Sequence, residues 1–157
     1  VMAGVDTTLP AGVQITNLLA LYAEHFDAGD FEATAALFDR GCVIVGSKVL
    51  TGRAAIMAMW RSVVRVYPGG RLHTRHLMTN PIITPGATAD ELACRSQWTV
   101  LQAAPGLALQ VIATGRYHDI FRRAGSAWHF ASRTYAGIDL AGDTTAHLLH
   151  PIAREEA

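Results

Sequence analysis

The chain has 157 residues, half of them hydrophobic and only 17% charged, which suits one domain with a sizeable core and is too short for two ordinary ones. Thirteen basic residues balance thirteen acidic ones, and all the basic residues but Lys48 are scattered arginines, so no basic stripe points to nucleic acid or an anionic membrane. Cys42 and Cys94 form no C-x-x-C pair, the first dozen residues lack a signal peptide's pattern, and no run approaches the roughly 18 apolar residues of a membrane span, so a cytoplasmic protein with small neutral partners is expected.

Val1 ahead of Met2 reads as an addition to the natural start. From Val13 to about Asp27, Ile15, Leu18, Leu19, Tyr22 and Phe26 recur at helical spacing as one apolar stripe, and Gly29 is placed to end that helix. Asp30 can cap a second, short helix through Phe38. Residues 42–46, CVIVG, read as a short buried strand. After Gly52, Ile56, Met59, Trp60, Val63 and Tyr67 repeat with a helical period until Pro68-Gly69-Gly70 breaks it. Extended segments follow over 71–84, 90–103, 107–122 and 127–138, separated by the turn-forming TPGA, APG and RAGS. Helices segregated ahead of such a meander imply an α+β domain, a curved, mainly antiparallel sheet wrapped round the helices with a pocket between. The whole chain, 1–157, reads as one domain with a core of about 13–138 and a tail, 139–157, that lies across a neighbour or the pocket mouth.

The stretch RLHTRHLMTN, residues 71–80, carries two histidines three apart. On a strand, alternation puts Thr74, His76, Met78 and Asn80 on one face and His73, Arg75 and Leu77 on the other, so His73 and His76 cannot share an ion. The other histidines do not repeat a metal-binding spacing, and no metal or other cofactor is expected. His76 is a candidate base if something orients it. Asp27 is a candidate orienter, since a carboxylate in the last turn of a helix opposes the helix dipole at a cost of about 0.3–1 kcal/mol that some partner offsets. The competing reading has Asp27 open the polar DAGD turn and face solvent.

The segments LYAEHFDAGDFEATAALF, HTRHLMTN and GRYHDIFRRAGSAWHFASRT resemble the SnoaL-like branch of the nuclear transport factor 2-like superfamily, over about Val13 to Gly137. The branch includes scytalone dehydratase, bile acid 7α-dehydratase and hexachlorocyclohexane dehydrochlorinase. The resemblance implies a cone-shaped α+β barrel and an Asp on the first helix paired with a His on a following strand, here Asp27 and His76. It also implies a polar residue five positions before that Asp, matched by Tyr22, and an Arg after the W-x-F motif of the last strand, matched by Arg133. The dehydrochlorinase carries a Lys where Tyr22 stands. The second active-site histidine of scytalone dehydratase has no match, because Ile112 and Thr114 occupy that part of the strand.

In the mechanism these residues suggest, Asp27 fixes the His76 tautomer, and the other ring nitrogen takes a proton from a carbon next to a carbonyl or conjugated system. Tyr22 offers a hydroxyl to the developing oxyanion, and Arg133 either holds an oxygen of the ligand or forms a structural ion pair. Alternation puts Ala131, Tyr135 and Gly137 on the face of Arg133, and Ala113, Gly115 and Asp119 on that of Tyr117. With Trp60, Met57, Trp98, Tyr117, Tyr135 and Phe38 as its lining, the pocket suits a hydrophobic, ring-containing small molecule. A cofactor-independent, dehydratase-like lyase or isomerase is the first reading. A non-catalytic ligand-binding or assembly module of the same fold, such as the small structural subunit of a ring-hydroxylating dioxygenase, is the second. Relatives cover the open sheet with copies of themselves, so a homodimer or homotrimer is expected.

Overall fold

The computed structural model describes residues 5–152, so Val1 and Met2, and the last five residues of the tail, lie outside the described residues. Helix α1 spans Ala11–Asp27 and α2 Phe31–Ala36; a hairpin of β1 (Cys42–Val45) and β2 (Lys48–Thr51) precedes α3 (Arg53–Val63). Four long strands complete the chain: β3 (Thr74–Pro85), β4 (Glu91–Ala104), β5 (Leu107–Ala124) and β6 (Ala127–Ala141). They form one six-stranded sheet in the order β2-β1-β6-β5-β4-β3, antiparallel except where β1 runs parallel to β6. The architecture is the expected α+β one, with a curved sheet that stays unclosed. Among the described residues no helix is long and apolar enough to cross a membrane.

The local chemistry explains most of these boundaries. The stripe of α1 is buried from Ile15 to Phe26, and Gly29, with φ +77°, turns the chain back by donating from its N–H to the Phe26 carbonyl. Asp30 caps α2 by accepting from the Ala33 N–H. Three differences from the sequence expectations matter. The hairpin partner β2 is too short and too exposed to carry a period, and β1 finds its second neighbour, β6, some 90 residues downstream, beyond the reach of local pattern. Helix α3 stops at Val63 rather than near Tyr67, because β-branched Val64 is extended and pairs with Leu148 of the tail. The tail therefore runs back along the end of α3.

The third difference is parity. On β6 a bulge opposite Ile120 and Phe121 turns both Phe130 and Arg133 into the core, so Ala131 does not share the face of Arg133 as simple alternation requires. On β3 a bulge between Thr79 and Ile82, with Asn80 at φ +51°, turns Asn80 out to solvent instead of following Met78 inward.

Candidate active site

Two glycines bring the dyad together. A Cβ on Gly29 would sit 1.9 Å from the Gly70 carbonyl oxygen, so only glycine lets the turn after α1 press against the turn before β3. That contact sets the last residue of α1, Asp27, beside the first residues of β3. Thr74 and His76, two positions apart on one face of β3, then both reach it.

Asp27 is 8% exposed and accepts three hydrogen bonds. Its Oδ1 takes the Thr74 hydroxyl at 2.7 Å and His76 Nδ1 at 2.6 Å, and its Oδ2 takes the His76 backbone N–H at 2.7 Å. These donors supply the compensation that a carboxylate at a helix C-terminus needs, and the solvent-facing reading of Asp27 is set aside by its burial. Burial pushes the Asp27 carboxyl up, but the hydrogen bond and charge of His76, together with the Thr74 hydroxyl, hold it below the usual carboxylate range. A carboxylate that accepts from Nδ1 fixes the tautomer in which Nδ1 carries the proton. His76 Nε2 is then the basic nitrogen, and it makes no hydrogen bond among the described residues.

The aromatic residues expected to line a pocket instead pack on one another around Tyr22, beyond this pair, and line neither of the two surface pockets. Phe26 meets the His76 ring edge to face at 5.2 Å, and Trp60 packs on Phe26 and Tyr22. The Tyr22 and Tyr135 hydroxyls are 2.9 Å apart, and Trp60 Nε1 donates to the Tyr135 hydroxyl at 2.8 Å. Burial holds both phenols protonated, well above their ordinary range in the case of Tyr22, and one of the two protons lies in the bond between them. Trp98 and Tyr117 continue the cluster toward β4 and β5, while Phe38 sits beneath it against Tyr22 and Phe130. Met57 is partly buried against the same core. A Cβ on Gly115 would lie 2.3 Å from the Trp98 ring, which explains why the strand position facing that indole is glycine.

Arg133 is fully buried. Its Nε and Nη2 donate to the two carboxylate oxygens of Asp119, its cross-strand neighbour, at 2.9 and 2.8 Å. The guanidinium also packs over both the Tyr22 and Tyr117 rings, 4.2 and 4.0 Å from their centroids. Of the two roles open to Arg133 from sequence, the structure shows the ion pair, with one amino group, Nη1, left over. Burial pushes the Asp119 carboxyl up, and the facing guanidinium is what keeps it charged.

Five buried polar atoms have no partner among the described residues: Ser96 Oγ, Trp98 Nε1, Gln102 Oε1, Arg133 Nη1 and His147 Nδ1. Native interiors leave few such groups, and these five are spread over β4, β6 and the tail. Two surface pockets lie elsewhere. One of about 780 Å³ opens between α2 and the β5–β6 turn, near His25, Arg40 and Trp128, and one of about 370 Å³ near Arg95 and His118. Neither contains Asp27 or His76. Among the described residues no three His, Cys, Asp or Glu side chains converge as metal ligands.

Sequence reasoning passed over Thr74 and His147 as members of the site. Thr74 carried a signal, since T-x-H on a strand puts both side chains on one face; His147 carried none, because its place depends on the path of an irregular tail.

A family model described as a SnoaL-like domain matches residues 7–134. The chain belongs to that family. The match spans α1 through the first half of β6, and so contains Asp27, His76, Tyr22 and Arg133 but neither Tyr135 nor His147. Among solved structures, Rv3472, a protein of unknown function from Mycobacterium tuberculosis whose structure is that of a single-residue variant, is 24% identical with TM-score 0.63, over 81% of this chain and 70% of that one. An NTF2-like protein with a cystatin-like fold from Novosphingobium aromaticivorans is 24% identical with TM-score 0.62, over 80% of each chain. The β subunit assigned to an aromatic-ring-hydroxylating dioxygenase from the same organism is 20% identical with TM-score 0.65, over 90% of this SnoaL-like chain and 97% of that one. At these identities the likeness shows the fold. No curated protein matches the sequence.

Proposed function

We propose that this SnoaL-like protein is a cofactor-independent lyase or isomerase of the dehydratase type, acting on a hydrophobic, ring-containing small molecule. The observation that carries the reading is the Asp27–His76 hydrogen bond of 2.6 Å, with the second carboxylate oxygen fixed by the His76 backbone N–H. Such a pair sets the tautomer, directs Nε2 outward from the carboxylate and stabilises the imidazolium that forms.

In the reaction, Nε2 takes a proton from a carbon next to a carbonyl, and the electron pair of the broken C–H bond moves onto the carbonyl oxygen as an enolate. In an isomerisation the proton returns at another carbon. In an elimination the enolate collapses and expels a β-hydroxyl, which takes the proton back from the His76 imidazolium and leaves as water, so that the base is restored. The Tyr22–Tyr135 hydroxyl pair, with one proton beyond the bond between them, is the donor for the enolate oxygen, and the Arg133–Asp119 pair holds the Tyr22 and Tyr117 rings in place.

A direct test follows the exchange of the C1 protons of 2-tetralone in deuterated water by NMR. The native protein accelerates exchange over buffer, and His76→Ala loses about 10² to 10⁴ of that acceleration with its fold intact. No acceleration by the native chain, or an equally active His76→Ala, would refute the reading.

One observation favours a second reading, assembly without chemistry: the fold matches a dioxygenase β subunit along nearly its whole length. Co-purification with an iron-sulfur partner, with His76→Ala leaving the assembled activity unchanged, would establish it.

A further inference from the structure

The buried groups that the proposed reaction does not use include one imidazole. His147 is 7% exposed, lies in the segment after β6, and packs its ring against that of His76 at 6.3 Å between centroids. The backbone there is fastened on both sides. The Ala146 carbonyl accepts from Gln102 Nε2 at 3.0 Å and from the Tyr67 hydroxyl at 2.7 Å. The His147 carbonyl accepts from the Arg65 N–H at 2.7 Å, and the Leu149 N–H donates to the Val63 carbonyl at 2.9 Å. The segment is thus a strap from β4 to the end of α3, and one result of its path is to hold an imidazole over the dyad.

That imidazole has no partner of its own. His147 Nδ1 is buried and makes no hydrogen bond among the described residues, a condition that a guest supplying the missing group relieves. The two rings are too far apart for a direct hydrogen bond. An oxygen bonded to both, at about 2.9 Å from each nitrogen, lies about 4 Å from each centroid. The observed separation of 6.3 Å is therefore one that a single oxygen can span.

We propose that His147 is a second ligand-binding imidazole of the site, which holds an oxygen of the ring substrate, a hydroxyl or enol, opposite His76. This rests on the function proposed above and adds to it a specificity-determining residue on the strap. The ring is neutral at ordinary pH, since burial and then the neighbouring His76 hold it at about 4, against the pull of Asp27. It therefore serves as a hydrogen-bonding group and not as a charge.

The test compares 2-naphthol, a flat ring with one enol-like hydroxyl, with naphthalene, which lacks it, by fluorescence titration of the whole chain. Native protein, His76→Phe, His147→Phe and His147→Gln are measured, each with its thermal midpoint. The native protein should prefer 2-naphthol by about tenfold. His147→Phe should lose that preference while binding naphthalene within about twofold of native, and His147→Gln, which keeps one hydrogen-bonding end, should recover part of it. If His147→Phe kept the preference and His76→Phe lost it, the inference would be overturned and the dyad would stand. Loss of both probes together in both His147 variants would reduce His147 to a structural role and overturn it as well. Absence of any preference in the native protein would also overturn it, whereas 2-tetralone exchange reports on the dyad separately.

Discussion

The protonation of three side chains decides how this interior behaves. Asp27, held below the usual carboxylate range, adds stability above its unfolded pKa of about 4 and loses that contribution as pH falls through its native value. His147 acts over a higher window. Held at about 4 against an ordinary 6.5, it refuses a proton that the unfolded chain accepts, so stability falls as pH drops from about 6.5 toward 4. Thermal midpoints should therefore decline between about pH 7 and about pH 5, and His147→Gln should flatten that slope; an unchanged slope would assign the acid sensitivity elsewhere. The Arg133–Asp119 pair makes a sharper prediction. Removing one partner leaves a buried charge, so Arg133→Met should cost about 3–5 kcal/mol in urea unfolding. The double change Arg133→Met with Asp119→Leu should recover most of it, because a well-packed apolar pair of similar volume replaces a buried ion pair at little cost.

At the scale of elements, the site depends on how α1 meets β3. Asp30→Ala removes the cap of α2 and should cost about 0.5–2 kcal/mol without moving Asp27, which belongs to another helix. Gly29→Ala lies one residue earlier and should do more harm. It places a Cβ at a positive φ and into the Gly70 carbonyl, so the helix end must separate from the strand that carries Thr74 and His76. Equal loss of stability in the two variants, or normal His76 spectra in Gly29→Ala, would contradict this account of the turn. The same contrast shows what the sequence could tell. The stripe of α1, the Asp30 cap, the four long strands and the T-x-H face are local patterns and were legible. The parallel docking of β1 on β6 joins segments far apart in the chain, and the bulges at Ala131 and Asn80, though they lie in hairpins of neighbouring strands, break the period of two by which a strand face and the partner of Arg133 would be read.

The molecule as a whole combines a densely aromatic interior with an apolar outside. Leu77, Ile82, Val111, Ile138 and Leu140 on β3, β5 and β6 are exposed, Leu140 by 71%. An open sheet with this many exposed apolar side chains is expected to associate with itself, as a dimer or trimer. Light scattering should report a mass of two or three chains, and Leu140→Asp with Ile138→Asp should lower it; a native monomer would remove the expectation.

In the proposed reaction Asp27 holds His76 with its proton on Nδ1, so that Nε2 is the base. Long-range proton–nitrogen NMR of the histidine rings reads this directly, without any ligand. Neutral His76 should carry its proton on Nδ1 in the native protein, and Asp27→Asn should allow the two tautomers to mix. A native His76 protonated on Nε2, or already exchanging freely between tautomers, would contradict it.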